Sequence, residues 1–361
     1  MGVSDAYSRG RRLVERPATL AVTVVALVLV LDIVAKLVTG ALPPQALGRY
    51  LWNGLKLGLI YGLAGIGLSL TYSILGFANF AHGEYVTVGG FAGWAVAFLV
   101  GGVSLGVTDI ASLLLVQANP GTSITNTPFA IVAGLIGAIV LTVAVSLALD
   151  RIVYRPMRDQ DGISLLIASV GVAFALRYLI AFVFDLNSRG VTGGTVSYNV
   201  GGLVINAHDL TLVVISVVLM LGVHLLLQRT KLGKAMRAMA DNKDLARVTG
   251  IPTERVVRWT WMLGGGLAGA AGYLVVLSRG TIIFDFGWML LLFIFAAVIL
   301  GGIGSVYGAI AGGIVFGVAS NVSRVWLTGQ WVDFADPVAF LLLIVVLLVR
   351  PQGLFGGVTT A

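Results

Sequence analysis

The residues best placed to do chemistry form the run Asn79-Phe80-Ala81-His82-Gly83-Glu84, the densest polar cluster beside any apolar segment of the chain. Ionisable groups at membrane depth are functional candidates by default, because burying one is costly unless it is paired. Two readings stand for this run: a solvated turn at the inner surface, or a discontinuous helix that presents backbone groups to a solute. Asn79, Phe80, His82 and Glu84, with Arg177 further inside its own segment, are therefore the candidate lining of a translocation pathway. Arg177 meets either Asp185, as a structural partner, or a substrate carboxylate, the structural partner being the preferred reading. One His with a Glu two residues away falls short of a metal site, which takes three or four ligands at fixed geometry. The chain holds only three His, and no His, Asp or Glu cluster has catalytic spacing, so neither enzyme chemistry nor a bound cofactor is expected.

A second feature lies at residues 232–251, LGKAMRAMADNKDLARVTGI, a basic helix-forming stretch between apolar segments. About a third of the 23 Lys and Arg residues fall within 229–258. Met236, Met239, Leu245 and Val248 recur at spacings of three to six, among Lys234, Arg237, Lys243 and Arg247. Gly250 then serves as a C-cap, and Pro252 blocks continuation. The stretch is either a docking helix for a soluble partner or an interfacial helix lying on anionic lipid. Gly233-Lys234 is followed by Ala235 and lacks the preceding glycine-rich loop, so no phosphate cradle of the G-x-x-x-x-G-K-[ST] kind forms there. Energy for any pumping has to come from another subunit.

The elements that must position these residues follow from composition. Apolar residues make up 58% of the chain and charged residues 11%, with a mean hydropathy of +0.99. A soluble domain carries roughly 25% charged residues, so this is a polytopic membrane protein. The apolar runs are too long for barrel strands, so the spans are helices. The 48 glycines let helix backbones approach closely inside lipid. With no Cys, disulfides and thiolate chemistry are excluded.

Ten spans are predicted, at residues 17–38, 51–75, 85–100, 128–149, 163–184, 210–227, 259–278, 286–303, 305–321 and 337–349, within a single transmembrane domain over 1–361. The glycine-rich run GGIGSVYGAIAGG is a tight turn or an interrupted helix. The opening, SRGRRLVERP before an apolar run, resembles a signal sequence. It is read as a retained first helix behind a cytoplasmic arm over 1–16. With the N-terminus inside, the inner segments collect Arg9, Arg11, Arg12, Arg16, Arg151, Arg155, Arg158, the basic residues of 229–258 and Arg350. The outer segments hold Arg49, Arg189, Arg279 and Arg324 among six Asp residues: Asp109, Asp185, Asp209, Asp285, Asp333 and Asp336. This positive-inside bias puts both termini in the cytoplasm, residues 101–127 and 185–209 outside and 229–258 inside. The net charge of +7 is sorted by membrane side and calls for no nucleic acid. Within 101–127, IASLLLV is too short to cross. Asp32 and Lys36 pair at i, i+4, and Lys56 snorkels towards the interface.

An offset of about 204 residues aligns Gly62-Leu63-Ala64-Gly65 with Gly266-Leu267-Ala268-Gly269, and Leu70, Gly76, Phe80 and Gly83 with Leu274, Gly280, Phe284 and Gly287. The two copies run in opposite directions five spans apart. The fold class is accordingly all-α with an inverted repeat of five plus five spans, the architecture that exchanges inward- and outward-open shapes.

Gly233, Arg237, Ala238, Asn242, Ala246, Gly250 and Ile251 resemble the coupling loop of the branched-chain amino acid ABC transporter permease family. The run from Asn53 to Phe91, above all residues 79–84, resembles that family's N-terminal signature, of the H-type. The tail Arg350-Pro351-Gln352-Gly353-Leu354-Phe355-Gly356 is similar to its C-terminal end. The resemblance spans nearly the whole chain, with residues 101–127 and the N-terminal arm as departures. It implies a permease subunit of the cytoplasmic membrane that works with two ATPase subunits, a second permease (or a second copy of this chain) and an extracytoplasmic binding protein. Two alternatives remain: a urea or short-amide permease of the same kind, and an ion-coupled secondary transporter working alone.

Overall fold

The computed structural model describes residues 17–104, 106, 109, 114 and 119–356. The basic arm over 1–16 and most of the IASLLLV patch lie outside the described residues. Twelve α-helices make up the described structure. They are α1 (Pro17–Val38), α2 (Pro44–Leu75), α3 (His82–Ser104), α4 (Pro128–Leu149), α5 (Gly162–Phe184) and α6 (Ala207–Arg229). Next come α7 (Lys231–Asp241), α8 (Lys243–Val248), α9 (Thr253–Arg279), α10 (Phe286–Gly301), α11 (Val306–Val322) and α12 (Ala335–Val349). Four short strands complete it: β1 (Arg189–Gly190) pairs with β4 (Thr281–Ile282), and β2 (Ser197–Val200) with β3 (Leu203–Asn206).

Each of the ten expected spans falls on a helix. Among the described residues, eight helical segments are long and apolar enough to cross a membrane. The 22-residue α1 and the 16-residue α10 complete the ten. At 1.5 Å per residue α10 extends only about 24 Å, short of the roughly 30 Å hydrocarbon core. The glycine-rich run resolves into a tight turn, with Gly302 and Gly304 at positive φ between α10 and α11. Leu354 N–H and Phe355 N–H then donate to the carbonyls of Leu300 and Gly301 at 2.9 Å each. The tail thereby caps the C-terminus of α10, where helix carbonyls otherwise lack partners.

The inverted repeat is present in the coordinates. α2 ends at Leu75 and α9 at Arg279, α3 starts at His82 and α10 at Phe286, so each boundary recurs at 204 residues. Gly76 and Gly280, at φ 75° and 71°, form the left-handed C-caps of the two long helices. A side chain is disfavoured in that conformation. Leu75 and Phe77, at the end of α2, share a recess with Thr253 and Glu254 at the start of α9, so the two copies run in opposite senses.

Glycines bring the central helices together. A Cβ on Gly58 would lie 2.7 Å from the Ile314 Cα and 2.8 Å from the Gly313 carbonyl oxygen, and Gly54 faces Gly317 and Val318 in the same way. α2 therefore packs backbone to backbone against α11, running antiparallel. Gly269 of α9 comes as close to the Ala138 carbonyl oxygen of α4, at 2.6 Å for an added Cβ, and Gly265 leaves room for the Ser146 side chain. Such contact replaces the hydrophobic drive that lipid cannot supply. The outward faces are apolar and exposed, as with Phe129 on α4, Phe182 on α5 and Val25 on α1.

Gly58→Val should destabilise the fold by about 1–3 kcal/mol through overpacking, seen as a lower unfolding temperature of the detergent-solubilised chain. Gly171→Ala, where an added Cβ meets nothing within 4 Å, should not lower it, since Ala favours the helix.

Candidate translocation and coupling sites

After α2 ends, residues 76–81 do not turn away into solvent. They climb back beside α2, and His82 Nε2 donates to the carbonyl oxygen of Ala64 at 2.9 Å. Ala64 lies eleven residues before the end of α2, about 16 Å along its axis. α3 thus begins deep inside the bundle. Asn79, His82 and Glu84 are fully buried, which rules out the solvated-turn reading. The reason is local: Gly76 reverses the chain, and Asn79 Oδ1 accepts from the Ala81 N–H at 3.0 Å, folding the segment on itself. Ser169 on α5 accepts the Phe80 N–H at 2.9 Å, and the Phe80 ring lies 5.1 Å from that of Phe295 on α10.

Glu84, in the first turn of α3, is 0% exposed and its Oε1 accepts from Arg177 Nε at 2.9 Å and Nη2 at 2.8 Å. The Arg177 guanidinium also lies over the Trp288 ring at 4.3 Å and the Phe174 ring at 5.1 Å. Arg177 thus takes a structural partner, but that partner is Glu84 and not the expected Asp185. Asp185 instead accepts from the Leu186 N–H at 2.6 Å and the Asn187 side chain at 2.8 Å, which hold its carboxyl below the usual carboxylate range. Trp288 occupies the position in α10 that Glu84 occupies in α3, 204 residues earlier. Gly83 and Gly287, also equivalent, meet each other at the helix starts. The two broken helices therefore converge N-terminus to N-terminus, with one cation held by both. Glu84 Oε2, His82 Nδ1 and Asn79 Nδ2 are buried without a hydrogen-bond partner among the described residues.

Lys56 and Asp209 form a second interior pair. Lys56 does not snorkel: its Nζ donates to Asp209 Oδ2 at 2.7 Å, while Ser278 donates to Asp209 Oδ1 at 2.8 Å. The positive-inside pattern puts Asp209 on the outer side and Lys56 near the outer end of its span, and that shared side is the signal the sequence offers. At the rim, Asp32 and Lys36 pair as expected at 2.8 Å, and Trp326 donates to Asp32 at 2.6 Å.

The basic stretch is two helices, not one. Asn242 ends α7, and its side chain accepts the Leu245 N–H at 2.9 Å as N-cap of α8. The apolar stripe is consequently split. Met236 and Met239 are buried against the bundle, whereas Leu245 is 60% and Val248 84% exposed. Gly233 lets α7 fold against the Leu227 backbone, and Arg237 Nη1 donates to the Leu227 carbonyl at 2.6 Å, capping α6. Ala246 is buried, Ala238 and Ile251 are half-buried, and Asn242 and Gly250 (φ 84°) are exposed. The Ile251 N–H donates to Ala246 at 3.0 Å, closing α8.

These features define a multi-pass helical membrane protein built of two inverted halves around re-entrant segments. The family model for the permease component of the branched-chain amino acid transport system matches residues 50–347, and the chain belongs to that family. It is 30% identical over 317 residues to the high-affinity branched-chain amino acid transport system permease protein LivH of Escherichia coli (strain K12), covering 85% of this chain and 95% of that one. The corresponding protein BraD of Pseudomonas aeruginosa is 30% identical over 314 residues, with the same coverage. A probable branched-chain amino acid transport permease protein LivH of Methanocaldococcus jannaschii is 26% identical over 298 residues, covering 81% and 88%. No solved structure matches the chain.

Replacing Glu84 alone by Gln should strand the Arg177 cation and cost about 3–5 kcal/mol. Glu84→Gln with Arg177→Met should recover part of that loss in a thermal-unfolding comparison of the two variants.

Proposed function

We propose that this chain is the membrane-spanning subunit of an ATP-driven importer of branched-chain or related amino acids. Its partners are two cytoplasmic ATPase subunits, a second permease or a second copy of this chain, and an extracytoplasmic binding protein. Both termini and α7–α8 face the cytoplasm in this reading. Family membership supports the substrate class and the kind of machinery. One structural observation supports the coupling: α8 turns Leu245 and Val248 outward while the rest of the α7–α8 unit is anchored to α6 by Gly233 and Arg237. Exposed apolar side chains on a short helix, set in a basic surround, are what a cleft in a soluble partner can grip. The anchoring makes the pair a rigid lever, so a push on α8 reaches α6 and α9.

The pathway residues take distinct parts. Glu84 and Arg177 hold the start of α3 against α5 and α10. Asn79 and His82 keep unpartnered nitrogens that are free to find new partners when the halves rearrange. Phe80, lying between α5 and α10, moves with them.

Leu245→Asp combined with Val248→Asp should weaken association with the ATPase subunits by about 30-fold or more, the scale of an interface hot spot. Membrane insertion should be unaffected. Unimpaired ATP-driven uptake by that variant would remove α8 from the coupling. The substrate is tested by reconstituting the full complex with leucine and urea in competition. Saturable urea uptake untouched by leucine would replace the amino acid by a short amide. Gradient-driven accumulation by vesicles holding this chain alone would replace the importer by a secondary transporter.

A further inference from the structure

Four arginines converge at the end of the bundle that carries α7 and α8. Arg151 and Arg155 come from the π-helical and 3-10 turns that follow α4, Arg158 caps the second of these, and Arg258 comes from the second turn of α9. Together with Asp150 and Glu254 they surround a recess of ≈ 290 Å³. The charges do not cancel. Both carboxylates are engaged by Arg158, whose Nη1 donates to the two Glu254 oxygens at 2.5 Å and whose Nη2 donates to the two Asp150 oxygens at 2.8 and 2.9 Å. Arg155 reaches Glu254 only at 3.9 Å. Arg151 and Arg258 are exposed and have no carboxylate partner among the described residues.

The surroundings identify what such a recess holds. Ile152 and Trp259, the chain neighbours of Arg151 and Arg258, are exposed. An exposed tryptophan beside a basic residue is the composition of a membrane–water boundary. Guanidinium forks fit phosphate oxygens in planar, two-point contacts. A free phosphate would use the arginines and leave the apolar rim without a role. A lipid headgroup uses both, its phosphate on the guanidiniums and its chains along the adjoining helices.

We propose that this recess binds the phosphate of an anionic phospholipid, taken by Arg151 and Arg258 over a floor made by the locked Arg158. The site joins the turn after α4 to the start of α9, directly behind α8. A lipid seated there braces the joint through which α8 is connected to the bundle. The proposal depends on neither the substrate nor the coupling reading, since its test reads lipid binding alone.

The full-length chain in detergent is titrated with phosphatidylglycerol and with phosphatidylcholine, and bound lipid is counted by native mass spectrometry. Phosphatidylglycerol should be retained in preference to phosphatidylcholine. Arg151→Gln with Arg258→Gln should weaken that retention about 25-fold, at roughly fivefold per charge removed, with the lipid-free unfolding temperature unchanged. Lys231→Gln with Arg247→Gln takes the same charge from α7 and α8 and should leave retention intact. Equal retention by the Arg151/Arg258 variant and the unmodified chain, or an equal loss in the Lys231/Arg247 control, overturns the proposal. Displacement of the lipid by millimolar inorganic phosphate would show a free-anion site and overturns it too. So would loss of the lipid once the ATPase subunits are bound, which would assign the recess to a protein partner.

Discussion

Lipid offers no hydrogen-bond partner to a peptide group, and the rest of the structure depends on that constraint. Residues 76–81 and 280–285 are largely non-helical, and at membrane depth such backbone survives only when wrapped by protein. The wrapping is specific. Ser169 takes the Phe80 N–H, Asn79 takes that of Ala81, and the Gly280 carbonyl accepts the Val191 N–H at 2.9 Å. For α2, α4, α9 and α11 to close around both segments, their axes must come near backbone contact, and the glycines at 54, 58, 265 and 269 permit it. The high glycine content and the broken helices are thus two sides of one arrangement.

The centre of the molecule is symmetric in backbone and asymmetric in chemistry. The two helix starts carry partial positive charge from their unpaired N–H groups. In the first half Glu84 answers it; in the second, Trp288 stands in the same place with no charge. Arg177 joins the two, through a carboxylate on one side and an indole face on the other. A buried ion pair is weak evidence for stability, because desolvation offsets most of the attraction. Its clearer effect here is geometric, since it fixes where α3, α5 and α10 meet.

Much of this was legible in the sequence. The ten spans could be read because runs of about 20 apolar residues have few other uses. The 204-residue offset could be read because Gly76 and Gly280 sit at left-handed caps that favour glycine, and Gly83 and Gly287 where the two backbones touch. The partners of the interior charges could not. Arg177 and Glu84 are 93 residues apart in the chain and Lys56 and Asp209 are 153 apart, so helix packing alone selects them. The depth of Asn79, His82 and Glu84 was also hidden, since the same polar run suits a surface turn equally well until the chain is seen to climb back beside α2. In the basic stretch the apolar spacing pointed to one helix; Asn242, a capping residue in mid-pattern, was the sign of two.

The division of roles around Arg177 has a consequence for how the halves relate. Two copies of the first half would bring a pair of carboxylates and a pair of guanidiniums to the centre, with no indole to stack on. Two copies of the second would bring two indoles and nothing for them to hold. Neither half can be regenerated by copying the other. Whatever ancestry the repeat records, its members have specialised beyond exchange, and the pseudo-symmetry survives in the glycines while the working side chains have left it.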